Sequence, residues 1–86
     1  MITVDPYGTG QKIKALMKER NISVNELSDK LGFTTTHAVY KWFRGENLPT
    51  LDNLVAIAHI LEVSMDYIVA VKAYEEYRIP RKGKYA

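Results

Sequence analysis

Apolar residues recur along this chain in five short stretches at three- and four-residue intervals, the spacing that lines up side chains on one face of an α-helix. The first stretch predicts a helix over residues 9–20, with Ile13, Leu16 and Met17 inward and the stem of Arg20 beside them. Asn21 and Ile22 interrupt it. Ser23-Val-Asn-Glu26 then has the capping-box pattern, in which hydroxyl and carboxylate satisfy free backbone N–H groups; Leu27 and Leu31 stand one turn apart on the helix it opens. Gly32 ends that helix, where the backbone must turn through positive φ. Any of Thr34, Thr35 and Thr36 suits the cap of a third helix, which runs to about Phe43 with Val39 and Trp42 inward and is closed by Gly45. Trp42, beside Val39 on an amphipathic helix, reads as core rather than as a base-stacking platform. After the loop Glu46-Asn-Leu-Pro49, Thr50 caps a fourth helix whose expected buried stripe is Leu51, Leu54, Ile57, Ala58 and Leu61. Ser64 caps a fifth, with Met65, Ile68 and Val69 inward.

Beyond Val71 the pattern changes. Tyr67, Tyr74 and Tyr77 are separated by intervals close to whole helical turns, which allows an extended C-terminal helix to about residue 77. Pro80 stops any helix, and Arg81-Lys-Gly-Lys-Tyr-Ala86 reads as a flexible basic tail. The expected organisation is a compact all-α, five-helix domain over residues 8–71, followed by an extension over residues 72–86.

Composition narrows the class. Eighty-six residues, 47% hydrophobic and 26% charged, suit one folded domain and are too few for two. The absence of cysteine excludes disulfides, thiol catalysis and thiolate zinc sites; His37 and His59 are separated and have no cysteine partner, so no metal site is expected. No apolar run approaches the roughly twenty residues of a membrane span, and Met1-Ile-Thr-Val-Asp5 lacks the basic-then-apolar start of a secretory signal. A cytoplasmic location with no membrane partner is expected. The net charge of +2 is segregated: seven Lys/Arg face five Asp/Glu in residues 1–50, none face three in 51–71, and five face two in 72–86. Such blocks give a nucleic-acid binder its positive face, and they equally describe solvated faces and a solvated tail. Charge alone leaves both readings open.

The stretch from Ser23 to Gly45 carries more information. Two short helices joined by a glycine-containing turn place the second in a DNA major groove while the first braces it. Ser28, four residues before Gly32, lets the two approach closely, and Leu27, Leu31, Val39 and Trp42 fix their crossing. Residues 10–70 resemble the Cro/repressor-type (XRE-like, lambda-repressor-like) helix-turn-helix family. The resemblance rests on Ile13-Lys-Ala-Leu16, Ile22-Ser-Val-Asn-Glu-Leu27, Leu31-Gly-Phe-Thr34, Ala38-Val-Tyr-Lys-Trp42, Arg44-Gly45, Leu48-Pro-Thr-Leu51, Leu54, Ala58, Leu61 and Val63-Ser-Met-Asp66. It implies a lambda-repressor-like domain that binds double-stranded DNA through its second and third helices, usually as a homodimer on a two-fold operator, in a transcriptional regulator with repression favoured. Three positions depart from the family pattern. Val24 stands where a glutamine commonly contacts a phosphate, which valine cannot do. The interval from Gly32 to Trp42 is one residue longer than is common, which changes how the third helix begins. Glu62 replaces a glycine that often ends the fourth helix.

By position, the start and outward face of the third helix nominate Thr35, Thr36, His37, Tyr40, Lys41 and Arg44 for base edges or phosphates. Threonine hydrogen-bonds to bases and touches thymine methyls, while Lys and Arg donate to guanine or clamp phosphates. Asn25, Asn47, Thr50 and Asn53 are nominated for phosphates, the last two because a helix N-terminus carries partial positive charge. No nucleophile elbow, Gly-rich phosphate loop or paired metal motif occurs, so neither catalysis nor a cofactor is expected, nor is a second domain for a small-molecule effector. The competing reading is an antitoxin-like or other protein-interaction module, with Tyr67, Tyr74 and Tyr77 as its surface and DNA binding secondary. In a third reading, residues 78–84 form a basic arm on the DNA.

Overall fold

A computed structural model describes residues 2–73. Five helices follow one another: α1 (Pro6–Glu19), α2 (Val24–Lys30), α3 (His37–Arg44), α4 (Leu51–Leu61) and α5 (Met65–Ile68), bracketed by strands β1 (Ile2–Val4) and β2 (Val71–Ala73). The caps lie where the spacing put them. Ser23 Oγ accepts from the Glu26 N–H at 3.0 Å, Thr50 Oγ1 from Asn53 at 3.2 Å and Ser64 Oγ from Tyr67 at 3.3 Å. Helix α1 begins three residues earlier than expected, because Pro6 sits at its first position with φ already set for a helix. At Gly32 and Gly45 the chain leaves α2 and α3 with φ of +81° and +75°. Glu62 takes the same left-handed conformation after α4, with φ of 60°.

Ile13, Leu16, Met17, Leu27, Val39, Trp42, Ile57, Ala58, Leu61 and Ile68 are buried together, and Phe43, not singled out by spacing, joins them. Leu51 does not belong to the buried stripe: it is 68% exposed. It is the first residue of α4, and a helical side chain leans toward the N-terminus, so at that position it leans beyond the end of the core. Arg20 Nε donates to the Leu61 carbonyl, satisfying an acceptor that the end of α4 leaves free.

The crossing of α1 on α3 sets the position of α3. A methyl added at Gly10 would lie 1.8 Å from the Trp42 carbonyl oxygen, so the two backbones meet there without an intervening side chain. Gln11 Nε2 donates to the Phe43 carbonyl at 2.9 Å beside the same crossing. The ribbon is a feature the helical reading lacks. β1 and β2 pair antiparallel, Ile2 opposite Ala73 and Val4 opposite Val71. Asp5 N–H donates to the Ala70 carbonyl at 2.8 Å, and Ala70 N–H to the buried Thr9 Oγ1 at 3.0 Å. The first residues of the C-terminal extension are therefore strand; the remainder of the expected helix, Tyr74, Tyr77 and the basic tail lie outside the described residues.

Candidate nucleic-acid interface

Helix α3 has a sharply divided surface. At about 100° per residue, Val39, Trp42 and Phe43 fall in one sector and are buried, while His37, Tyr40, Lys41 and Arg44 fall in the opposite sector and are exposed. Burial anchors the helix. Trp42 is 3% exposed and meets Phe33 edge-on at 6.0 Å, as its core reading expected. Tyr40, 45% exposed, stands edge-on against Phe43 at 5.8 Å, a contact that orients its ring while the residue stays open to solvent.

The start of α3 carries the additional residue of the turn. Thr36 is the residue before the helix, half-buried, and its side chain makes no capping bond. The hydroxyl that serves there is Thr35 Oγ1, which accepts from His37 N–H at 3.4 Å. Ser28 is buried under this turn as its small size suggested, and its Oγ has no hydrogen-bond partner among the described residues.

Two clefts flank the exposed ridge of α3. On one side a cleft of about 620 Å³ with mixed polar and apolar lining brings together Thr35, His37, Lys41, Asn47, Thr50 and Asn53. Loop and α4 residues nominated for phosphates thus share one concavity with α3 residues nominated for bases. Asn25 is separate, lining a smaller cleft with Thr35 and Thr36. On the other side of α3 lies a cleft of about 540 Å³ between α1, the start of α2 and α3, whose wall includes Tyr40 and Arg44. Arg44 is ion-paired with Glu46, both side chains being about half exposed. The Arg44 hydrogen bond holds the Glu46 carboxyl below its ordinary value, with a weaker pull from Lys41 in the same direction.

Sequence spacing did not select Gly10, Gln11 or Phe43, the groups that hold α3 against α1. Gly10 has no local signature, because its role depends on a backbone more than thirty positions away. Phe43 was legible in principle, lying one residue from Trp42 at the edge of the apolar sector. Among the described residues no cluster of three or more His, Cys, Asp or Glu groups is placed to hold a metal, and no helix is long and apolar enough to cross a membrane.

Comparison with known proteins shows the family. Residues 13–68 match the family model described as Helix-turn-helix. The cryptic phage CTXphi transcriptional repressor RstR of Vibrio cholerae is 35% identical over 69 residues, 76% of this chain and 61% of that protein. An uncharacterized HTH-type transcriptional regulator, YobD of Bacillus subtilis, is 29% identical over 74 residues, 85% of this chain and 64% of that protein. The chain therefore spans about three-fifths of the length of these relatives. Among solved structures, a transcriptional regulator from Listeria innocua shares the fold at a TM-score of 0.65 and 19% identity, over 90% of this chain and 65% of that one. HppE, solved with cobalt(II) and substrate, superposes at a TM-score of 0.69 and 27% identity, over 77% of this chain and 36% of its own.

Proposed function

The chain belongs to the helix-turn-helix family, and from that premise we propose that it binds double-stranded DNA through α3 and acts as a transcriptional regulator. One observation carries the reading: α3 buries Val39, Trp42 and Phe43 and holds His37, Tyr40, Lys41 and Arg44 outward on a single ridge. A helix with its side chains is about as wide as the major groove, so such a ridge suits base edges. Thr35, Thr36, His37, Tyr40, Lys41 and Arg44 are the base or phosphate contacts. Asn47, Thr50 and Asn53, gathered in the cleft beside α3, take phosphates of one strand, and Asn25 is a more distant phosphate contact.

The kinship with a phage repressor from Vibrio cholerae favours repression. Likeness to HppE covers 36% of that chain and brings a fold rather than its chemistry; the function is binding, not catalysis. One domain spans only a few base pairs, so a homodimer with its two α3 helices about 34 Å apart reads successive turns of the groove. The setting that fits this work is the cytoplasm. Selection of bound duplexes from random DNA tests the reading. A two-fold consensus is the expected result; no enrichment would overturn it in favour of a protein-interaction module.

A further inference from the structure

The cleft between α1 and α3 has a composition that the reading of α3 alone does not use. Its α1 wall is a row at helical spacing, Tyr7, Gln11, Lys14 and Lys18, where positions four and seven apart share a face. Its α3 wall is Tyr40 and Arg44, with Phe43 between the two helices, and Ser23 and Val24 at the start of α2 also line it. Lys14 is held in place, its Nζ lying 5.7 Å from the centre of the Phe43 ring. Three cations line this cleft and no acid does; Glu46, the partner of Arg44, is outside it.

Position gives this charge a meaning. On α3 the cleft shared with Asn47, Thr50 and Asn53 is bordered by His37, Ala38, Lys41 and Trp42, and the basic one by Tyr40, Phe43 and Arg44. The two therefore lie on opposite sides of the exposed ridge. A helix seated in a major groove about 12 Å wide has a sugar–phosphate strand along each side. With one strand over Asn47, Thr50 and Asn53, the other runs over the cleft that carries Lys14 and Lys18.

We infer that Lys14 and Lys18 of α1, outside the helix-turn-helix pair itself, bind the phosphates of the second strand and so clamp α3 from the side opposite Thr50. The claim rests on the DNA-binding reading of α3 and adds two residues and a strand to it. Tyr40 and Arg44 form the common edge, since each belongs both to the ridge and to the cleft. The apolar floor receives the deoxyribose faces between phosphates.

The experiment uses the whole chain and a duplex taken from the random-DNA selection, with affinity measured across a salt series. Each phosphate contact contributes about 0.9 to the slope of log K against log salt. The double variant Lys14→Gln/Lys18→Gln is expected to lower that slope by roughly 1.8 and to lose affinity, while Lys14→Arg/Lys18→Arg restores both. Lys12→Gln is the charge control, because Lys12 belongs to another face of α1, donating to the Tyr67 carbonyl at 3.2 Å; it is expected to leave the slope nearly unchanged. Thermal melts matching wild type show that the variants are folded. An unchanged slope in the folded Gln pair overturns the inference and is the outcome expected if the cleft holds an acidic peptide instead. An equal fall in Lys12→Gln also overturns it, because general charge then accounts for the effect. If wild type selects no DNA, the parent reading fails and this clamp with it; if wild type binds and only the lysine variants are silent, the clamp alone fails.

Discussion

Replacing Gly10 with alanine adds a single methyl at the closest approach of two backbones. That carbon would sit 1.8 Å from the Trp42 carbonyl oxygen, 2.6 Å from its carbonyl carbon and 3.1 Å from the Phe43 Cα. Packed carbon and oxygen atoms come no nearer than about 3 Å, so α1 and α3 must separate by more than about 1 Å at this point. No side-chain rotation relieves the clash, because the atoms met are main chain. Overpacking of a core costs about 1–3 kcal/mol, and a rigid backbone obstacle places this case at the upper end. Alanine's better helix propensity offsets about 1 kcal/mol. The net expectation is a loss of about 2 kcal/mol, which for a domain of this size is roughly 8–16 °C in Tm. Separation also strains the Gln11 bond to the Phe43 carbonyl, so DNA affinity should fall even where the variant remains folded. Urea titration followed by circular dichroism measures the stability. Gly32→Ala is the comparison: its added methyl meets nothing within 4 Å, and it bears only the conformational cost of φ +81°, about 1 kcal/mol. A Gly10→Ala protein as stable as wild type would refute the close crossing and, with it, the placement of α3.

Three further outcomes follow from other contacts. Glu62→Gly should stabilise the domain by about 0.5–1 kcal/mol, since Glu62 ends α4 at φ 60°, where a side chain is strained and glycine is not; a thermal melt reads it. Thr9→Val removes the buried acceptor of the Ala70 N–H and should cost about 1–3 kcal/mol, with faster hydrogen exchange at Ala70 as the specific sign. Glu46→Gln frees Arg44 and removes an acid beside the ridge, so affinity for a selected duplex should rise roughly two- to five-fold at low salt. The pairing lowers the Glu46 pKa, so acidification brings the same release only below the ordinary carboxylate range, and this group should add no pH dependence to binding near neutrality.

What was legible in the chain was whatever depended on near neighbours. Ser23, Thr50 and Ser64 announced their helices because a cap and the N–H it satisfies are three residues apart. Val39 and Trp42 named the buried side of α3, and by subtraction its exposed side, because helical periodicity carries that contrast directly. Leu51 was misplaced because periodicity assigns a face but not an end. The ribbon escaped because three-residue strands are too short to show alternation, and their pairing joins the two ends of the described chain. The site divides in the same way. Its α3 residues followed from one helix, whereas their division between two clefts depends on α1 and the loop before α4, which no local pattern relates to α3.

Whether the exposed ridge of α3 contacts DNA is decided by a salt titration of a folded Lys41→Ala/Arg44→Ala double variant. On a selected duplex this variant should bind more weakly, with the slope of log K against log salt reduced by roughly 1.8 relative to wild type. Unchanged affinity and slope in that variant would contradict such contact.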